Sequence, residues 1–440
     1  MEVTNRSHLR RIFVDHGEAY GNLGDEAMLV SALGRLTRHL GPCVFVLPRE
    51  GKRPIPNLEG FIVETTTSPF LIFKAAVNLL VRYCGHFVRW LPGGRLPLGL
   101  CHMWATFLDR VGILKTIYPD YRRFVLDLAK CDAFYGVGAA DFNDFNSFGA
   151  TYKCWLYILA RRKVPLCFVS AQGFGPLQSG PLIRLMSKAF NHLNALSFRD
   201  AEFSASFCRK LEPLSCRTQI VGDEAFSLPV ADERSCAEHI REAGLEPDQP
   251  FIVVHWRATD YTQETRDLYP KIAGLYDAVV EKTGLPLLFI PMSYDVHSRI
   301  DQDCYAEIRA RMRYSENLYN LGLTHDTSLI KGVIGASQLT LGLSYHVHVF
   351  GLAQNVPAVI TFSGQYYYFK SHGLVDFYGA PSAAHDIEQC SLMDVLLTVM
   401  YCLAERETAS HSIELINAKL SKTNDWSIEL MARMLEVQGS

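Results

Sequence analysis

The 12 cysteines of this 440-residue chain are scattered, with no C-x-x-C pair and no regular spacing. That pattern excludes a disulfide framework and a zinc knuckle, and leaves reduced, mostly buried thiols. No apolar run reaches the ~18–20 residues needed to cross a bilayer. The nearest, Phe70 to Trp90, is interrupted by Lys74, Arg82 and Arg89. The opening M-E-V-T-N-R-S-H-L-R-R has no apolar core and no cleavage site, so the expectation is a cytoplasmic protein. A net charge of only −3 gives no electrostatic case for nucleic acid as a partner. Short-period repeats and low-complexity segments are absent as well.

What is present is the balance of a globular protein, 48% hydrophobic and 20% charged, in a chain long enough for two domains. From Arg11 to about Leu228, short β-rich runs alternate with amphipathic helices. The runs are 43–47, 133–137, 165–170, 196–198 and 219–221. A charged stretch, 231–250, ends E-P-D-Q-P and reads as a connection. The alternation then restarts, with strands at 251–255, 287–290, 338–343 and 358–361 and helices at 272–280 and 345–354. Strands separated by helices at this interval predict two doubly wound parallel-sheet α/β domains facing a cleft. The expected division is 1–230, a linker at 231–250, a second domain at 251–405, and a helical tail at 406–440 returning to the first domain. The apolar region 66–112, interrupted by basic residues, reads as a buried helix with a basic outer edge, a peripheral membrane contact, a subunit interface or an acceptor lid.

The stretch Gly17–Met28, G-E-A-Y-G-N-L-G-D-E-A-M, joins a first strand to a helix whose apolar stripe is Leu29, Leu33, Leu36 and Leu40. Three glycines in eight positions let a ligand approach the backbone, and Asp25 and Glu26 suit the helix start. The spacing is neither a dinucleotide fingerprint nor a phosphate loop with its lysine. On composition alone a capped helix after a tight turn is the favoured reading.

Ligands of open parallel sheets bind beyond the carboxyl ends of the strands. Polar residues there are Asp15, His16, Asn22 and Asp25, then the loop Gly136–Asp141, then Gln172, Gly173 and Gly175. Arg199 and Asp200 follow, and the second domain supplies His255, Arg257, Asp260, Ser344, His346 and His348. Asp200 reads first as a helix cap, Asp260 as a partner of Arg257, and one of the two late histidines as structural. An arginine at a strand's carboxyl end aims a planar fork at the cleft and suits carboxylate or phosphate. One such arginine per domain, Arg199 and Arg257, beside a histidine and no metal-ligand cluster, points to an anionic substrate held without metal.

At these residues the chain resembles the polysaccharide pyruvyl transferase family. The points of likeness are G-N-L-G-D-E-A-M (21–28), G-V-G-A-A-D (136–141), A-Q-G-F-G-P-L (171–177) and L-S-F-R-D (196–200). V-G-D-E-A-F-S-L (221–228), the strand ending in Arg257, and H-V-H-V-F-G-L-A-Q-N-V-P-A-V-I (346–360) complete the series. The resemblance implies a fold similar to glycosyltransferase type B and transfer of pyruvate from phosphoenolpyruvate onto a sugar of a cell-surface glycan precursor, as a ketal. No cofactor and no metal are expected. Carried over, Arg199, Arg257, Ser344 and His346 hold the donor, His346, Asp25 and Arg257 do the chemistry, and Asn22, Asp25 and Asp141 meet the acceptor. The acceptor is a glycan or a lipid-linked sugar, handled in the cytoplasm or at the inner face of the membrane if 66–112 makes contact.

Two positions depart from the family pattern. The late helix begins Ser344-Tyr345-His346 where the family commonly has Arg-x-His, and Gln365 falls where it tends to carry a lysine. Ser344 would cap that helix and, with its N–H groups, still hold a phosphate. A sugar-nucleotide glycosyltransferase of the same fold is the competing reading. Its support is H-W-R-A-T-D (255–260), similar to the H-x-R-x-x-D of some fucosyltransferases, and the aromatic cluster Tyr366-Tyr367-Tyr368-Phe369. A non-catalytic glycan-binding relative is the third.

Overall fold

The structure is a computed structural model and describes residues 9–16, 21–49, 57–88, 98–211, 213–257, 268–294, 300–379 and 382–439. Asp260, residues 17–20 of the glycine-rich stretch and 89–97 of the apolar region lie outside them.

The first sheet contains β1 (Arg10–Asp15), β2 (Cys43–Arg49), β3 (Ile62–Thr67), β4 (Ala133–Gly136), β5 (Leu166–Gln172), β6 (Ala195–Phe198) and β7 (Arg217–Ile220). Its order is β3-β2-β1-β4-β5-β6-β7, every pair parallel. β8 (Ile252–His255), β9 (Leu287–Phe289), β10 (Leu318–Asn320), β11 (Leu339–Gly342), β12 (Ala358–Phe362) and β13 (Ala383–Asp386) make the second. That sheet is parallel too, in the order β10-β9-β8-β11-β12-β13. The molecule is therefore two doubly wound α/β domains. Seven of the nine inner strands, β4, β5, β6, β8, β9, β11 and β12, are buried along their whole length, as befits strands covered by helices on both faces.

Strand order reverses between β1 and β4 in one sheet and between β8 and β11 in the other. Chain leaving those strands diverges to opposite faces and opens a crevice. The two crevices face each other because the loops beside them are sewn together. Leu23 N–H donates to Met292 O at 2.9 Å, and Tyr294 N–H donates to Gly21 O at 2.9 Å. Asn22 and Ser293 thus form an antiparallel bridge between the domains. One apolar cluster runs through the junction, from Leu29 and Leu33 to Val253, Leu288 and Ile428.

The stretch 231–250 is more than a connection. Glu233–Glu242 is a helix whose Cys236 and Ile240, one turn apart, are buried, while its charged residues face out. Gly332 lies so close beneath it that a Cβ there would sit 2.3 Å from Cys236 Sγ. The tail forms two helices, Arg406–Thr423 and Trp426–Gly439. Their connection is tied to the first domain through buried Arg35, which pairs with Glu224, with Asp425 at 2.6 Å and with Asn424 O. Tyr135 donates to the other oxygen of Glu224 at 2.8 Å, and Asn424 Nδ2 to Val221 O at 2.8 Å. The conspicuous V-G-D-E-A-F-S-L motif is thus partly architectural, since its glutamate anchors the tail.

Candidate functional site: the interdomain cleft

β11 ends at Gly342, where φ is +146° and a Cβ would lie 2.0 Å from His255 O. Only glycine allows that approach, and the chain then turns into the helix Tyr345–Leu352. Ser344 has the backbone angles of the N-cap and is buried, but its side chain makes no capping hydrogen bond. Of the two histidines that follow, His348 is structural. Its Nε2 donates to Gly342 O at 2.8 Å and its Nδ1 accepts from Thr340 Oγ1 at 2.9 Å. His346 points the other way, into the cleft. Its ring lies against Gly24 at the start of the first helix, where a Cβ would stand 1.9 Å from Nδ1. Nε2 is buried with no protein partner among the described residues. Burial first, then the charges of Lys370, Arg199 and Arg257, hold the imidazole well below its ordinary pKa, so it is neutral.

Cations converge on it from both domains. Arg199 leaves the end of β6, and Gly173 makes room for it, since a Cβ there would meet the guanidinium carbon at 2.3 Å. Its Cζ lies 4.5 Å from the centre of the Tyr345 ring. Neighbouring Asp200 is the helix cap that its sequence position suggests, accepting from Phe203 N at 3.0 Å and Ser204 N at 2.7 Å. Arg257 follows β8 and is half-buried, with Nε lacking a partner among the described residues. Its charge is felt by Asp301, which accepts from His255 Nε2 at 3.1 Å and from Met292 N and Ser293 N.

The third cation, Lys370, was not among the expected residues. Gln365 is exposed at the start of the helix Gly364–Tyr378, and Lys370 further along it reaches the cleft. Lys370 Nζ lies 4.8 Å from the Tyr366 ring and 5.7 Å from the Tyr345 ring. Burial, with Arg199 close by, lowers its pKa to about 8. The cleft is therefore not short of the charge that Ser344 and Gln365 fail to provide. The available signal was the i,i+4 spacing of Tyr366 and Lys370, which puts both on one helix face. Asp223, beside Arg199, is pushed up to about 6 by burial against that arginine's pull, and caps its turn by accepting from Ala225 N at 2.9 Å.

On the first-domain side is a pocket of about 270 Å³ whose walls include Asp15, His16, Asp25, Asp141, Tyr152 and Phe70. Lys153 joins two of its carboxylates, at 2.7 Å from Asp15 and 3.6 Å from Asp141. Phe70 and Tyr152 meet edge to face, with centroids 5.2 Å apart. Asp25 faces both regions, since it lines this pocket and its charge is felt by Arg257 and Lys370. Asn22 is the cap of the first helix, its side-chain oxygen accepting from Gly24 N at 3.0 Å. A larger depression of about 590 Å³ runs along β7 between Cys208 and Ile220 and contains none of these groups.

The family model for polysaccharide pyruvyl transferase matches residues 22–363. No curated protein matches the sequence. Among solved structures, Anabaena HepE in complex with UDP and glucose is similar at TM-score 0.55 and 13% identity, covering 98% of this chain and 100% of that one. Phytolacca americana UGT2, complexed with UDP-2-fluoro-glucose and pterostilbene, is similar at TM-score 0.55 and 11% identity, over 97% and 99% of the two chains. The α,α-trehalose 6-phosphate synthase of Burkholderia multivorans reaches TM-score 0.52 at 13% identity, over 98% and 100%. Likeness at that identity establishes the fold, glycosyltransferase type B.

Proposed function

The chain belongs to the polysaccharide pyruvyl transferase family, and from that premise we propose that it moves pyruvate from phosphoenolpyruvate onto a sugar as a ketal, releasing phosphate. The observation that carries this reading is the convergence of Arg199, Arg257 and Lys370 on neutral His346. Phosphoenolpyruvate is a compact molecule bearing a carboxylate and a phosphate, and such a ligand neutralises a cluster of cations drawn from both domains. The fork of Arg199, fixed over Tyr345, suits either group bidentately, and Lys370 acts as a point charge. The first-turn N–H groups after Ser344 add donors at the positive end of a helix dipole.

The chemistry follows from the same field. Before the donor binds, burial and then the cations keep His346 deprotonated; a bound anion cancels the cations' repulsion and its own charge favours the protonated ring, which takes up a proton. Delivered to the donor's methylene carbon, that proton leaves an oxocarbenium-like centre at the carbon bearing the carboxylate. A sugar hydroxyl attacks this centre and gives its proton to Asp25, placed between the cations and the pocket. The C–O bond to phosphate then breaks with its electron pair going to oxygen. A second hydroxyl attacks the new oxocarbenium centre and returns its proton to His346, closing the ketal, while the proton held by Asp25 leaves with the phosphate. Asp141 and the Phe70–Tyr152 pair line the pocket that takes the acceptor, and Asn22 caps the helix that carries Asp25.

Thermal melting provides the direct test. Phosphoenolpyruvate at about 100 times its Kd should stabilise the protein by about 2.7 kcal/mol, a shift of several degrees. A clear shift with a UDP-sugar and none with phosphoenolpyruvate would replace this reading with the sugar-nucleotide one. Lys370→Met should weaken donor binding about tenfold or more, without loss of stability, because a buried charge is exchanged for an apolar chain of similar length. In the parent protein, donor affinity should also fall as pH rises through about 8, where the free Lys370 loses its charge. The Lys370→Met variant should lack that limb, and titration calorimetry across about pH 7–9 checks both.

A further inference from the structure

The helices Pro69–Val88, Leu98–Arg110 and Ile113–Ile117 present a surface opposite to what their position demands. Helices covering a sheet normally turn apolar residues inward and polar ones to solvent. Here Leu100, Met103, Phe107 and Val111, at i, i+3, i+7 and i+11, are exposed by 37%, 64%, 51% and 50%. Val81 and Leu71 on the preceding helix are exposed as well. The ridge is held in place from below: Trp104 donates through Nε1 to Ala76 O at 3.1 Å, and its ring stacks on Phe107 with centroids 5.9 Å apart. The inward faces are already filled by Phe73, Ala76, Cys101, Ala105 and Leu108. The exposed residues are therefore surplus to the core.

Charge identifies the occupant. Among the described residues of these helices, the exposed charged side chains are Lys74, Arg82, Arg110 and Lys115, all basic. The one acid, Asp109, is buried and paired with Arg162 at 2.8 Å. The whole chain nevertheless carries a net charge of −3, so the basic character is local. A second copy of the chain is a poor match, because a two-fold contact would set these cations against themselves. We propose that this face seats on a bilayer containing anionic lipid, the apolar ridge entering the interface and the cations meeting headgroups.

The ridge begins where the pocket of the first domain ends. Phe70 lines that pocket and its neighbour Leu71 is exposed on the ridge. A protein seated this way holds its pocket at the membrane plane, where the sugar of a lipid-borne acceptor lies. That last step rests on the proposed reaction, whereas the bilayer contact does not, so the test uses protein without donor or acceptor.

The full chain is sedimented with vesicles of phosphatidylcholine alone or mixed with phosphatidylglycerol. Binding is expected to the mixed vesicles, weaker to neutral ones and weakened by salt. Met103→Ser/Phe107→Ser should reduce the partition coefficient by about tenfold or more, and Lys74→Glu/Arg110→Glu by about fivefold or more per cation. All four positions are exposed, and the melting temperature verifies that the variants fold. Failure of the parent chain to sediment with any vesicle overturns the proposal, as does equal binding by both double variants. A dimer in solution that Met103→Ser/Phe107→Ser converts to monomer assigns the ridge to a second copy instead.

Discussion

Alanine at position 24 should give a folded, stable protein with at least about 100-fold less transfer activity. Gly24 is the second residue of the helix Leu23–Leu40, and by helix propensity alone alanine would be about 1 kcal/mol better there. The backbone has little freedom to retreat. Gly24 N–H is held by Asn22, and Leu23 N–H is fixed to Met292 O in the other domain. The added Cβ would stand 1.9 Å from His346 Nδ1, 2.3 Å from Cγ and 2.7 Å from Cε1, so the ring itself must leave its place. A displaced ring removes proton delivery but keeps Arg199, Arg257 and Lys370. Turnover should therefore collapse while the donor-induced shift in melting temperature largely survives. His346→Ala should reproduce the effect, and the double variant should be little worse than either alone, because both remove the same group. Unchanged kcat in Gly24→Ala would take His346 out of the chemistry.

That substitution also marks how far the sequence could be read. The alternation of strand runs and amphipathic helices identified both sheets, and the inner strands lie within a few residues of their expected positions. β3, β10 and β13 escaped notice for a common reason: Ile62–Thr67, Leu318–Asn320 and Ala383–Asp386 are all edge strands, mostly half-exposed, with no apolar run to betray them. Arg199, Arg257 and His346 were legible because strand ends in a parallel sheet face the cleft whatever the details of packing. Lys370 was not, because a residue well inside a helix is aimed by rotation about the helix axis. The glycine-rich stretch was visible as a turn of unusual composition, but the reason for Gly24 was hidden. It is set by a histidine far along the chain, His346, across an interface that local patterns do not encode. The apolar and basic composition of 66–112 left several readings open, since composition reports that a segment has an apolar face and not what covers it.

Replacing Glu26 with glutamine should leave a protein far less sensitive to alkali. Glu26 sits one turn into the same helix, fully buried at the domain junction, and Tyr294 of the second domain donates its hydroxyl to it. Burial raises its pKa to about 8, against a backbone contact from Gly21 that acts the other way. The folded protein therefore holds a neutral acid where the unfolded chain ionises at about 4.5. A raised acid favours the folded state fully below the unfolded pKa. The advantage fades from about pH 4.5 and is gone above about pH 8. At 1.36 kcal/mol per pH unit that amounts to roughly 3–5 kcal/mol, a large part of the stability of an ordinary domain. Glutamine has the shape of the neutral acid, accepts from Tyr294 equally well and never ionises. The two proteins should thus melt together near about pH 4–5, and the variant should melt several degrees higher at about pH 8–9. Comparing them cancels Asp223, whose raised carboxyl gives a slope of the same sign over a lower range, from about pH 4 to 6. A variant that is less stable than the parent at every pH would mean that Glu26 is ionised in the folded protein and that its charge, not its neutral form, holds the junction.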